Sequence, residues 1–411
     1  MLHFSLSRRK AERTMHAEKI VARILEPCWV GLHAKRAQAL QRAVVALLTG
    51  GVLSLSALAL AIQSPTRFKH RLKSMDRLLG SSAIQSARQM LYAALAARWL
   101  NGVEQVLLVI DWSDLTPDQR WQWLRASVAV EGRSVTLYEE VHPQRRYGHP
   151  TVHRQFLARI AKVLPVGCQP IIMTDAGFHA SWFKLVAARG WAFVGRIRGR
   201  DMVCCDEDTW FPIKALHQQA EEAALDLGHY QYVRSNPIKV RLVLSKRPAR
   251  GRHRLNIYGR PRVGRASAKC ARSAREPWLL AASPQLDVLT AQRVVSLYAQ
   301  RMQIEQSFRD TKNLRVGQGL QATRSRSAER LQILLLLAHL GAFVQRLIGE
   351  DAKARQLDLH FVASRRKRPE ISTMTLGRRI LDAPAYWLRQ LTPWSAIPPL
   401  TMQAQNACHV S

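Results

Sequence analysis

VEQVLLVIDW, residues 103–112, runs five consecutive aliphatic residues, Val106 to Ile110, straight into an aspartate. A short apolar run of this kind, bounded by polar residues, reads as a strand buried on both faces. RASVAV (125–130) and SVTLYEEV (134–141) read as a second and a third strand. HRQFLARIAKVL (153–164) then shows helical spacing, and QPIIMTD (169–175) is a fourth strand ending on Asp175. SWFKLVAARG (181–190) is a helix closed by glycine, and WAFVGRI (191–197) is a fifth strand.

Three strands in succession, then alternating helices and strands, make an α/β layout in the order of the ribonuclease H-like fold. In that order strands one and four are neighbours. Asp111, read as the end of the first strand, and Asp175, at the end of the fourth, would stand side by side where open α/β sheets bind ligands. One aspartate after a strand is weak evidence, because turns and caps use the same residue. Asp114 and Asp118 read as residues of that kind, and Trp112 reads as core packing.

Upstream, residues 1–98 read as helical. AKRAQALQRAVVALL (34–48) stops at Gly50-Gly51, and LSLSALALAI (53–62) follows with Ser54 as N-cap. Ser64-Pro65 offers a cap and a first-turn proline for TRFKHRLKSMDRLLG (66–80). Phe68, Leu72, Met75 and Leu79 should face a core, leaving Arg67, Lys69, Arg71, Lys73 and Arg77 outside. This is a helix-turn-helix arrangement with a basic surface, or a small bundle with a solvated face. The net charge favours DNA contact through Lys69, Arg71 and Lys73. Residues 43–62 are uncharged and as long as a membrane span. Their glycine pair, serines and basic flanks argue against one, and no membrane partner is expected.

Charge decides the class of partner. With 62 Lys+Arg against 29 Asp+Glu the chain carries +33, which points to a polyanion and above all to nucleic acid. Between Leu227 and Arg275 there are fourteen Lys or Arg and no acid. Together with the strand-like pieces YQYV, KVRLVLS, RLNIYG and PWLLAAS, this marks residues 201–285 as a β-rich basic insertion between two parts of the α/β core, 99–200 and 286–349. RLQILLLLAHLGAFVQRLI (330–348) reads as a core helix, and 350–411 as a partly helical tail suited to dimerisation. Six cysteines without CxxC spacing suit reduced thiols in the cytoplasm and no cysteine-bound zinc. The N-terminus has no apolar signal segment. His142, His149, His153 and His179 read as dispersed surface or loop residues, and Gly317 with Gly319 as a bend.

YAQRMQIEQSFRDTK, residues 298–312, carries the third candidate acid, Glu305. At about 100° per residue, Tyr298, Arg301, Glu305 and Lys312 of one helix fall within roughly 60° of arc, with Arg309 on the same face. Leu297, Ile304 and Phe308 form the stripe that packs the helix down. Periodicity alone favours a solvated helix with a Glu305–Arg309 pair. If Glu305 reaches Asp111 and Asp175, three acids converge and need a cation, and oxygen ligation suits Mg²⁺. Two such ions about 3.5–4 Å apart serve phosphoryl transfer.

Tyr298-x2-Arg301-x3-Glu305-x6-Lys312 resembles the signature of the hairpin-forming bacterial insertion-sequence transposases, insertion-sequence family four. VIDWSDL, TDAGFH, EPWLLA and RMQIEQSFRDTK extend the similarity from about residue 30 to about residue 345. The resemblance implies a ribonuclease H-like catalytic core with a β-rich insertion, preceded by an α-helical DNA-binding domain. It implies Asp111, Asp175 and Glu305 as catalytic, metal-holding residues, with Mg²⁺ as cofactor and Mn²⁺ able to substitute. Cut-and-paste transposition would proceed by nicking, hairpin formation, hairpin opening and joining to target DNA. Double-stranded element ends and target DNA would be the partners of a homodimer. Trp278 would stack a flipped base, and Tyr298, Arg301 and Lys312 would grip phosphates. Arg309, Arg324 and Arg326 are further DNA-contact candidates. Two rivals remain: an end-binding repressor with a silent core, and a stand-alone nuclease of the same fold.

Overall fold

The computed structural model describes residues 17–130, 132–206, 209–246, 264, 276–315, 317–361 and 371–382. Its spine is built from β1 (Gln105–Asp114), β2 (Trp121–Ala129), β3 (Ser134–Pro143), β4 (Gln169–Thr174) and β5 (Ala192–Ile197). β2 lies antiparallel to β1 and to β3, while β4 runs parallel to both β1 and β5, giving the order 3-2-1-4-5. The apolar run of β1 explains its central place: Val106 to Ile110 are all at most 2% exposed, with neighbours on both edges and both faces.

The basic insertion does not stand apart from this sheet. β6 (Met202–Cys204), β7 (Trp210–Pro212), β8 (Leu225–Tyr232), β9 (Ile238–Ser245) and β10 (Trp278–Ala282) prolong it as 5-10-9-8-6-7, with β10 antiparallel to β5. The described residues therefore form one ten-stranded sheet. An edge left at β5 would expose unpaired backbone groups, and β10 covers it. RLNIYG (254–259) and the RRKR run at 365–368 lie outside the described residues.

Helices cover the sheet. α1 (residues 17–25), α2 (Ala34–Leu48), α3 (Leu55–Ala61), α4 (Phe68–Leu79) and α5 (Ser82–Trp99) precede it. α6 (Pro150–Val163) and α7 (Ala180–Ala187) connect its strands, and α8 (Ala291–Ala299), α9 (Met302–Lys312), α10 (Ala328–Ala354) and α11 (Thr373–Asp382) follow it. α5 and α10 both pack on β3, and α10 also holds α2, α4 and α11, so a single apolar core runs from Ala17 to Leu381. α10 is apolar and long enough to cross a membrane, yet 89% of its most apolar window is buried in the protein. The uncharged stretch 43–62 is not one helix, because it breaks between α2 and α3 at Thr49–Ser54.

Several boundaries differ from the sequence reading. Asp111 does not end β1, since the strand runs on to Asp114 and pairs Asp111 with Arg125. Only the parallel ladder to β4 stops there, at Ile110–Thr174. α4 opens at Phe68, not at Ser64-Pro65, because the Ser64 hydroxyl caps a local turn at Thr66 and Arg67 stays extended. Phe68 therefore begins the helix beyond the core and is 38% exposed, whereas Met75, Leu78 and Leu79 are buried. The 298–312 segment is two helices joined at Gln300–Arg301 by tightened i to i−3 bonds of 3.0–3.2 Å.

Candidate active site

The register of β1 and β4 sets the first two acids. Since Ile110 lies opposite Thr174 in a parallel pair, Asp111 and Asp175 are the next residues of adjacent strands. Each carboxylate is tied locally. Asp111 Oδ1 accepts the Trp112 amide at 2.8 Å, and Asp175 Oδ1 accepts the Gly177 amide at 2.8 Å. The DAGF corner is tight: a methyl on Gly177 would sit 3.1 Å from Asp175 Oδ1 and press on that carboxylate.

α9 brings the third acid over this pair, held by side chains at helical repeat. Gln303 accepts the Val130 amide at 2.9 Å, and the Ser307 hydroxyl bonds Ser134 at 2.8 Å. Asp310 pairs with Arg133 at 2.7 Å, while Ile304 and Phe308 are buried. Asp310 was not singled out in the sequence, where its spacing from Gln303 and Ser307 was the available sign. Thus fastened, α9 leaves Glu305 with its side chain 42% exposed.

Arg301, at the joint between α8 and α9, bridges the acids. Its Nη1 lies 3.2 Å from Asp111 Oδ2 and its Nη2 2.9 Å from Glu305 Oε1. The ion pair of Glu305 is therefore with Arg301, not with Arg309. Burial opposes the charge on Arg301, but Tyr298, Asp111, Glu305 and Asp175 together hold it firmly protonated. Asp111 is pushed up to about 7, first by burial and next by repulsion from Asp175, against the pull of Arg301 and the Trp112 amide. Glu305 adds a smaller push. The three carboxylates thus share one electrostatic environment.

Among the described residues no three His, Cys, Asp or Glu side chains form a ready cluster around a single ion. The expected three-acid cage is not preassembled, because Arg301 stands between Asp111 and Glu305. Two adjacent, mutually repelling carboxylates, one of them buried, still make an oxygen-donor pair that suits a hard divalent cation.

The flanking residues divide into buried and exposed. Lys312 Nζ donates to Ser113 Oγ at 2.7 Å and to the Asp114 carbonyl, and burial draws its pKa down to about 8. Tyr298 is 3% exposed and pushed up to about 12 by burial, so it cannot lie open to a phosphate. Trp278 is half-buried, edge-on to the Tyr298 ring at 4.9 Å. Arg309, Arg324 and Arg326 are exposed, as are Lys69 and Lys73 on α4. Arg71 instead turns inward and donates to the Ile62 carbonyl at 2.7 Å, closing the end of α3.

Two groups escaped the sequence reading. His149 and His179 are exposed, as read, but His153 is buried, accepts the Trp112 indole N–H at 3.2 Å, and is drawn down to about 4 by burial and by His142, His149 and His179. Beneath α9, Arg125 and Glu139 face each other across β2 and β3 and pair at 2.8 Å, 3% and 0% exposed. Trp123 and Tyr92 also donate to the Glu139 carboxylate, each at 2.9 Å. Charges in the middle of apolar strands were the available signal.

The family described as "Transposase DDE domain" matches residues 103–341, more than half of the chain. The chain belongs to the DDE transposase family. The match takes in β1 with Asp111, β4 with Asp175 and α9 with Glu305. Transposases of this family typically use divalent metal ions. A cryo-EM structure described as the piggyBac transposase synaptic complex with hairpin DNA aligns with this transposase at 11% identity and a TM-score of 0.41, covering 94% of this chain and 76% of that one. No curated protein matches the chain.

Proposed function

We propose that this DDE transposase moves its insertion sequence by cut-and-paste transposition through a DNA hairpin. Water nicks one strand at the element end, and the freed 3′-hydroxyl attacks the opposite strand to close a hairpin. A second water reopens the hairpin, and the same 3′-hydroxyl joins target DNA. Asp111 and Asp175 would hold Mg²⁺, with Mn²⁺ as a substitute, and Glu305 would join them by exchanging its pair with Arg301. When bound, the cation would make the attacking oxygen a stronger nucleophile and offset charge on the phosphate.

The observation that carries this reading is the register placing Asp111 beside Asp175 under the Arg301–Glu305 pair. Around that acidic centre, Lys312, Arg309, Arg324 and Arg326 supply positive charge for the DNA backbone. Tyr298, buried beside Arg301, positions that arginine and does not itself grip a phosphate. The helices of residues 1–98 would bind the element end through Lys69 and Lys73, and residues 350–411 would pair two copies.

The test is direct. Purified full-length protein is incubated with Mg²⁺ and a duplex copied from the inverted repeat bordering its gene. Denaturing gels should show a nick followed by a hairpin, and Glu305→Gln should bind the duplex without cutting. Tight binding with uncut DNA would favour the repressor, and cleavage without hairpins the nuclease.

A further inference from the structure

Tyr147 belongs to no motif and lies beyond the end of β3, just after the 3-10 turn Gln144–Arg146. The segment is held firmly: Gln144 N–H donates to Arg120 O at 2.9 Å, Tyr147 N–H to Gln144 O at 3.0 Å and His149 N–H to Arg146 O at 3.2 Å. Gly148 takes the left-handed turn, at φ 68°, that sends the chain into α6. The Tyr147 ring rests against Trp112, centroids 5.2 Å apart, yet the residue is 49% exposed. Its hydroxyl points to the acid pair. A methyl on Gly177 would lie 3.7 Å from that oxygen and 3.1 Å from Asp175 Oδ1, so both groups flank the same corner.

Resting on the transposase reading above, we propose that Tyr147 touches substrate in this site. Its hydroxyl donates a hydrogen bond to a non-bridging oxygen of the scissile phosphodiester, on a ring braced by Trp112. Among the described residues the hydroxyl has no hydrogen-bond partner in the protein, although it lies beside the Asp175 corner and half the residue is open to solvent. A phenol with an ordinary pKa of about 10 keeps its proton at neutral pH and has it to donate. Arg145 and Arg146, immediately before it and exposed, carry the positive charge that a DNA strand crossing this lip would meet. No bond is made or broken at Tyr147. It holds the phosphate and gives up nothing.

Tyr147→Phe keeps the ring on Trp112 and removes only the hydroxyl, so its thermal midpoint should match wild type. Single-turnover nicking of the inverted-repeat duplex with Mg²⁺ should slow roughly ten- to hundredfold, the range expected for one hydrogen bond to a charged group. Binding of the same duplex in chelator should be unchanged. Nicking by Tyr147→Phe at the wild-type rate overturns the role of Tyr147 while leaving the transposase reading intact. A wild-type protein that binds the duplex but never nicks it overturns both.

Discussion

Asp111→Asn separates the stability of the site from its chemistry. In the folded chain the Asp111 carboxyl is raised from its ordinary 3.8 to about 7, chiefly by burial and by Asp175. An acid whose folded pKa lies above its unfolded one supports the fold through its proton. That contribution is whole below about 4 and is lost as pH rises through about 7. The side chain is 13% exposed, so solvent screens little of it. At about 1.4 kcal/mol per unit of pKa, wild type should lose roughly 3 kcal/mol between about pH 5 and about pH 8 through this group alone. The amide of Asp111→Asn has no proton to lose and can still accept the Trp112 amide. Guanidinium unfolding of both proteins, in chelator, at the two pH values isolates the difference. The variant should gain on wild type at the higher pH while losing all nicking. Parallel pH profiles for the two proteins would refute the account of a buried, repelled carboxylate.

Glu139→Gln leaves the Arg125 guanidinium buried without its carboxylate and should cost about 3–5 kcal/mol. The double replacement Arg125→Met with Glu139→Leu should recover much of that in the same unfolding assay. Lys312, with its folded pKa drawn down to about 8, loses its charge as pH rises past that value. Its contribution to end-DNA affinity should fade over the next unit, whereas Lys312→Arg should bind with a flat profile across that range, as filter binding would show. Trp278→Ala should spare the first nick and reduce hairpin yield, by an amount matching the ~1–3 kcal/mol of one base–aromatic stack. Unchanged yield would leave Trp278 as a structural partner of Tyr298.

The core sheet was legible because burial on both faces writes itself as an unbroken apolar run, and Val106–Ile110 and Ile171–Met173 are such runs. Adjacency of Asp111 and Asp175 then needed only the strand order. Helix geometry around Glu305 was less legible. A continuous wheel puts Tyr298 on the face of Glu305, but the tightened joint at Gln300–Arg301 turns Tyr298 into the core and aims Arg301 at Asp111. Such a joint depends on which tertiary partners reward it, and no local residue announces it. The same holds for the insertion: YQYV, KVRLVLS and PWLLAAS were visible as parts of β8, β9 and β10, but β6, β7 and the β5 edge they prolong were not. Tyr147 gave no sign at all, since its place follows from a turn after β3 meeting a turn after β4.

A basic chain that retains an acidic centre must balance that centre locally. Arg301 is the balancing charge, salt-bridged to Asp111 and Glu305, and a guanidinium suits the task because its planar fork can serve two carboxylates at once. One guanidinium against three nearby acids nonetheless leaves the pocket net negative, and repulsion from Asp175 adds to burial in raising the Asp111 pKa. Outside the pocket the exposed Arg145, Arg146, Arg309, Arg324 and Arg326 reverse the sign within a few residues. A polyanion alone would be held by the rim and repelled by the centre, and a free cation would favour the centre and avoid the rim. A phosphate backbone that arrives with a divalent cation would satisfy both, in keeping with the proposed metal-assisted cutting of DNA by a member of this family.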